Sequence, residues 1–359
     1  MAAARSSLTP VVLNGSHGEG GGALLRTALT MSTLTQQPVR IHDVKGATRK
    51  PGLGPEDLTF LAALAVATSA DLEGDELDSR DISFTPRRRP RGIELQLDIT
   101  SHHAGKVPGN ALVVAQGLLP VLAQTGTYSS LTLFGETHNN NTLGFDAFER
   151  TTLLAHRAQG LYAFPSLVST GFGYGGRGEV HVDVEPSALE PIHWPDRGEL
   201  KQSGAVITMS EVGQNVVQET VSAVGKLMED HGLTGELEQH VIRGREPGAS
   251  VTFWATFERG AGSGAAVLQR GQSATGMVQR AWMNFAGWYQ SPATVDAFLA
   301  DQLLLLAAFT DGKSVYTTPQ VTRRLGTMAW VIKQFSPVAI TIKGREGEPG
   351  LITVQRSLG

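Results

Sequence analysis

The chain has 359 residues, 41% of them apolar and 18% charged, with a formal net charge of -4. That length can bury one large core or two modest ones, and the near-neutral balance excludes a protein coated in basic charge, so any nucleic-acid contact must be a local groove. The absence of cysteine excludes disulfides, thiolate metal sites and cysteine nucleophiles.

The N-terminal "MAAARSSLTP" lacks an apolar signal core. No stretch approaches the ~18 continuous apolar residues that span a bilayer. A soluble, cytoplasmic protein without a membrane partner is the expectation. "VVLNG" is a short apolar run that meets the glycine cluster "GSHGEGGG", and a helix from about Gly22 to Leu34 follows. "VRIHDVK" alternates as a half-buried strand. The next helix opens with Pro55, Glu56 and Asp57, a first turn where proline fits and acids complement the helix dipole. "LDSRDISFTP" closes the unit as a strand, paired with "DLEGDE".

A second pass begins at "GIELQLDIT", followed by a helix over Asn110 to Leu122 that Pro120 should bend or end. "SSLTLFGE" and "GEVHVDVEP" read as strands on either side of a helix capped by Asp146. Between Glu185 and Gln272 the pattern changes to a compact set: strand "AVITMSEVG", helix "QNVVQETVSAVGKLMEDHG" stopped by Gly232, and strand "SVTFWATFE". The flanks "EPSALEPIHWPDRG" and "ERGAGSG" read as linkers. The C-terminal pass has helices over Thr275 to Tyr289 and Val295 to Phe309, strand "SVYT", a helix capped by Thr322, and strands "VAITIK" and "LITVQ". Units of strand and paired helices thus recur about every 85 residues. The expected architecture is α/β (α+β): residues 1–184 and 273–359 form a large domain of three repeated sheet-and-helix units, and residues 185–272 form an inserted small domain.

Several stretches could carry chemistry. "NGSHGEGGGALLR" sets five glycines between a strand and a helix, so backbone N–H groups can approach an anion; Glu19 within Gly20, Gly21 and Gly22, and Arg26 two turns on, add an acid and a cation. The ending of a Walker loop is absent. "VKGATRKPGLG" places Lys45, Arg49 and Lys50 in a basic turn, which is either a solvated loop or an anion contact. "SHHAGKVPGN" holds adjacent His102 and His103, a spacing that does not face one metal from a helix. In "LADQL", Asp301 and Gln302 interrupt an apolar helix, and a buried acid must be paired, protonated or bound. In "TPQVTRRLGTMAWVIKQF", Leu325, Met328, Ala329, Ile332 and Phe335 form one apolar stripe, while Arg323 and Arg324 crowd the positive end of the helix. They are either solvated cations or the edge of an anion site.

Taken together, "GSHGEGGGALLR", "KPGL", "GNALVVAQGLLP", "GETHN", "GFGYGGRGEV" and "LADQL", in that order, resemble the RNA 3'-terminal phosphate cyclase family over nearly the whole chain. The resemblance implies a fold of three α/β units with a small insertion. It also implies ATP and Mg2+ as cofactors, an RNA 3'-end as partner, and conversion of a 3'-phosphate to a 2',3'-cyclic phosphate through a histidine-linked adenylate. By the same resemblance Glu19, Gly20, Gly21, Gly22, Arg26, Asp301 and Gln302 belong to the nucleotide and phosphate site, with Glu19 and Asp301 the candidate Mg2+ carboxylates. Lys50, Arg323 and Arg324 are the candidate RNA or anion contacts.

The sequence departs from that pattern at its chemical centre. The family's nucleophile lies in a pattern like T-x-H-x-x-T-N-I, and the register through "VIKQFSPV" places Arg324 there. His240 is the last histidine of the chain. Arginine is permanently charged and cannot replace a neutral imidazole. Ala23, the Glu56-Asp57 pair and Phe298 also stand where the family carries other residues. The expected function is therefore binding of RNA 3'-ends, with ATP as a further implied ligand, without histidine-adenylate chemistry. An active cyclase using another nucleophile, with His17 and His138 on candidate loops, and a small-molecule transferase of enolpyruvyl-transferase-like architecture are the alternatives. Oligomeric state is not legible.

Overall fold

The computed structural model describes residues 9–102, 109–140, 142–173 and 175–356. His103 and Lys106 of the His-pair loop, Tyr174 of "GFGY" and the first eight residues lie outside it. Three four-stranded sheets share one topology. The first contains β1 (Val11–Asn14), β2 (Val39–His42), β3 (Asp71–Glu73) and β4 (Asp81–Thr85), in the order β1-β2-β4-β3. Its first two strands are parallel and the remaining pairings antiparallel. β5 (Glu94–Asp98), β6 (Ser129–Gly135), β7 (Ala163–Ser169) and β8 (Gly178–Val184) repeat that order and those directions.

Each parallel pair needs a crossover, and each crossover is a helix. α1 (Gly22–Thr35) joins β1 to β2, and α3 (Ala111–Leu122) joins β5 to β6. A second helical segment precedes each antiparallel pair: α2 (Pro55–Thr68) in the first unit, and in the second α4 (Phe145–Ala147), a π turn over Phe148–Thr152 and α5 (Leu153–Ala158). Asp146 does not cap this helix; Gly144 does, and Asp146 is buried, accepting hydroxyl hydrogen bonds from Thr208 (3.0 Å) and Thr252 (3.5 Å). Pro120 lies two residues from the end of α3 and the helix runs through it.

The third sheet starts earlier than the sequence suggests. Residues read as a linker include β9 (His193–Trp194), which pairs in parallel with β14 (Lys313–Thr318), joined by β16 (Gly350–Arg356) and β15 (Val338–Lys343). Its helices are α8 (Ala297–Ala307) and α9 (Arg323–Phe335). The insertion lies between β9 and α8, with β10 (Leu200–Ser210), α6 (Gln214–Asp230), β11 (Glu236–Val241), β12 (Gly248–Phe257), β13 (Gly260–Val267) and α7 (Ala274–Tyr289).

α7 belongs to the insertion, because Met277, Val278, Ala281, Trp282, Phe285 and Trp288 bury in its separate core. The "ERGAGSG" stretch is likewise a hairpin and strand rather than a linker. A Cβ at Gly262 would come within 2.5 Å of the Trp288 ring, and one at Gly264 within 2.1 Å of the Phe285 backbone nitrogen. The glycines let α7 lie directly on β13. On these contacts the inserted body runs from about residue 200 to about residue 290, rather than 185–272, because burial of an apolar face assigns a helix to a domain. The three units share the larger core, where α1 packs on α9, α2 on α3 and α8 on α9.

Candidate functional site

The glycine loop is held by α9. Gly18 and Gly20 have positive φ values of 62° and 59°, a conformation that side chains resist. A Cβ at Gly18 would meet the Thr327 hydroxyl at 2.3 Å. That hydroxyl accepts the Glu19 N–H (2.8 Å) and donates to the Arg323 carbonyl (2.9 Å). Close approach of loop and helix thus places Glu19 beside Arg324, with Oε1 3.7 Å from the guanidinium Nε. Gly21 caps α1 without a side chain, leaving the first-turn N–H groups free of a side-chain cap.

α8 supplies the opposite wall. Asp296 caps it through the N–H groups of Phe298 and Leu299, and Asp301 follows one turn later. Asp301 Oδ1 accepts the Thr322 hydroxyl at 2.8 Å, and the Thr322 oxygen in turn accepts the Leu325 N–H, which caps α9. Asp301 Oδ2 lies 3.9 Å from Arg324 Nη1, and the guanidinium carbon stands 5.4 Å from the Phe298 ring. Burial pushes the Asp301 carboxyl up to about 7, against the opposing pull of Arg324 and the Thr322 hydroxyl.

Arg26 reaches from α1 to the first turn of α2, 3.2 Å from Glu56 and 3.5 Å from Asp57. Asp57 is fully buried and holds Lys45 at 2.5 Å and the Gly54 N–H at 2.9 Å. From α3, Gln116 Nε2 lies 3.3 Å from Nε2 of His156. His156 is fully buried, and desolvation pushes its pKa down to about 3, so the ring is neutral and keeps one nitrogen able to accept a hydrogen bond. Gln116 Oε1 is left without a partner.

Glu19, Gly22, Arg26, Glu56, Gln116, Phe298, Asp301, Gln302 and Arg324 line one cavity of about 210 Å³ among helices of all three units. Five buried polar atoms on its walls have no protein hydrogen-bond partner: Glu19 Oε2, Gln116 Oε1, both amide atoms of Gln302, and Arg324 Nε. Each costs ~1–3 kcal/mol if nothing satisfies it, and their grouping around one cavity makes that cavity the candidate site for a polar ligand. No histidine is among the described lining residues. His17 stacks on Trp330 with ring centroids 3.8 Å apart, and His138 packs on Phe172 with Nδ1 2.9 Å from the Thr137 hydroxyl.

Sequence comparison decides the lineage: the family model described as RNA 3'-terminal phosphate cyclase matches residues 17–342. The chain belongs to the RNA 3'-terminal phosphate cyclase family. Curated relatives of that name include proteins from Methylococcus capsulatus (29% identical; 97% of each chain covered), Gloeothece citriformis (30%; 92% of this chain and 95% of that one) and Ectopseudomonas mendocina (32%; 89% and 92%). Among solved structures, the enolpyruvyl transferase NikO from Streptomyces tendae aligns at a TM-score of 0.36 and 12% identity, covering 97% of this chain and 49% of that one, too weak a likeness to carry an inference.

Of the residues expected at the site of this cyclase-family chain, Glu19, Gly22, Arg26, Asp301, Gln302 and Arg324 converge on the cavity. Gly20 and Gly21 shape its loop without lining it. Lys50 is exposed and outside the lining, and Arg323 points to Glu346 at 3.2 Å on the surface. Glu56, Gln116 and Phe298 line the cavity as well, and Thr327 and His156 support it. Gln116 carried the same signal as Gln302, a polar residue interrupting an apolar helix.

The fit of the implied Mg2+ is poor. Glu19 Oε1 and Asp301 Oδ2 both face Arg324, and Asp301 Oδ1 is taken by Thr322. Of the four carboxylate oxygens only Asp301 Oδ1 accepts a hydrogen bond, and Glu19 Oε1 and Asp301 Oδ2 each lie within 4 Å of the one guanidinium. Two carboxylates that flank a fixed cation, with no cluster of three metal-ligating side chains among the described residues, are a poor Mg2+ donor set.

Proposed function

We propose that this chain is a non-adenylating member of the cyclase family that holds the 3'-terminal nucleotide of an RNA in the cavity between α1, α3, α8 and α9. The amides of Gln116 and Gln302 offer hydrogen bonds to a base or ribose, and Arg26 and Arg324 offer guanidinium groups to a phosphate. ATP shares the nucleotide and phosphate chemistry and is a competing ligand of the same cavity.

The observation that carries this reading is Arg324. It is the second residue of α9 and its side chain reaches into the cavity, and the family resemblance assigns its position to the nucleophilic histidine of adenylating members. A guanidinium has no lone pair to attack phosphorus at any physiological pH. Neither His17 nor His138 lines the cavity.

The test is incubation with α-labelled ATP and Mg2+, denaturation, and a search for an acid-labile phosphoramidate, alongside an assay for cyclisation of a 3'-phosphorylated RNA. No labelled protein and no cyclic end are expected. Label mapping to a histidine, or turnover to cyclic phosphate, would overturn the reading.

A further inference from the structure

The two carboxylates that would be the metal ligands of this site do not face an open coordination sphere. They face one guanidinium, with Arg324 Nε 3.7 Å from Glu19 Oε1 and Nη1 3.9 Å from Asp301 Oδ2. Both separations exceed a direct hydrogen bond, so the pairing is Coulombic, as it would be around a central ion. The arrangement is fixed from both sides. Thr327 pins the Glu19 backbone to α9, and Thr322 ties the Asp301 carboxylate to the N-terminus of the same helix. Arg324 therefore sits between two acids that its own helix positions. Phe298 covers one face of the guanidinium, which further limits its movement.

We propose that Arg324 takes the place of a divalent cation, so that this cavity neutralises its acids and receives its ligand without metal. A Mg2+ ion needs oxygen donors at about 2.1 Å in octahedral geometry, and the two carboxylates that would supply them flank a guanidinium instead. A second cation at the same acids would also be repelled by a fixed charge that cannot be titrated away. The difference between the two counterions is chemical as well as electrostatic. A metal polarises a bound oxygen and exchanges its ligands, whereas a guanidinium offers planar N–H donors and stays attached to the chain. The site is thereby specialised for holding an anionic or polar group rather than for activating one.

The proposal concerns the unliganded cavity and does not depend on RNA binding, so the two can fail separately. Mn2+, which is paramagnetic, is the probe. The free ion is titrated against the wild-type chain and against Glu19→Gln, Arg324→Ala, Arg324→Lys and Arg324→Ala/Glu19→Gln, each shown to be folded by circular dichroism. Arg324→Gln replaces Arg324→Ala should the alanine variant not fold.

The wild type and Arg324→Lys, which keep a cation, are expected to bind no Mn2+ at this site. Arg324→Ala is expected to gain one site at least roughly tenfold tighter than any binding by the wild type, and that gain should vanish with Glu19→Gln. Wild-type Mn2+ binding that is lost in Glu19→Gln overturns the proposal. So does a folded Arg324→Ala that gains no site, or one whose added Mn2+ survives Glu19→Gln.

Discussion

Arg324 and Asp301 face each other across the cavity at 3.9 Å, one from the first turn of α9 and the other from the middle of α8. The contact explains how α9 tolerates two arginines at its positive end. Arg324 finds Asp301 and Glu19 inside the molecule, and Arg323 finds Glu346 outside it. Residues adjacent in sequence thus have separate surroundings, and of the two only Arg324 lines the cavity.

The raised Asp301 carboxyl gives the pair a signature in stability. Its ordinary value of 3.8 is pushed to about 7 in the folded chain. Between about pH 4 and pH 7 the folded state binds more protons than the unfolded one, so this group makes stability fall as pH rises, by at most ~4 kcal/mol. Asp301→Asn should flatten that slope, and the variant should be relatively more stable at about pH 8 than at about pH 4. Urea denaturation of both proteins across the range checks it; parallel pH profiles would remove Asp301 from the titration.

His156 acts with the opposite sign. Its pKa falls from 6.5 to about 3 on burial, so the unfolded state binds more protons between those values and stability is lost as pH falls through the window. His156→Gln should reduce acid sensitivity by as much as ~5 kcal/mol. The same change removes the ring that orients Gln116, so nucleotide binding near neutral pH should weaken while the fold persists. Calorimetric titration of a nucleotide is the readout.

The junction of glycine loop and α9 should be intolerant of small changes. Gly18→Ala combines a left-handed backbone with a Cβ at 2.3 Å from Thr327 Oγ1, and should cost about 1–2 kcal/mol for the conformation alone. Thr327→Val removes the acceptor of the Glu19 N–H and should cost ~1–3 kcal/mol. Thermal melts measure both, and nucleotide titration would show whether Glu19 has moved.

Much of this was legible in the sequence because local patterning and tertiary packing agree. The apolar stripe of α9, its Thr322 cap, and the interruption of α8 by Asp301 and Gln302 each led to the right element and the right face. Where the sequence misled, a distant contact decided. "ERGAGSG" has the composition of a linker, yet its glycines exist to admit Trp288 and Phe285. His193 and Trp194 look like loop until β14 arrives from over a hundred residues later to pair with them. Side-chain chemistry does not distinguish Arg323 from Arg324; the positions of Glu346, Glu19 and Asp301 send one outward and the other into the cavity. The Lys45–Asp57–Arg26 set was invisible for the same reason, since its members come from three separate segments.

The most direct test of the account is equilibrium binding of a 3'-phosphorylated oligoribonucleotide in a chelator, followed by fluorescence anisotropy against a 3'-hydroxyl control. The wild type should bind the phosphorylated end more tightly without metal. Arg324→Ala should lose roughly tenfold or more and show a shallower salt dependence, while Arg323→Ala/Lys50→Ala should match the wild type at this end. Equal affinity for both ends, or binding unchanged by Arg324→Ala, would contradict a phosphate-receiving Arg324 and with it the proposed role of the cavity.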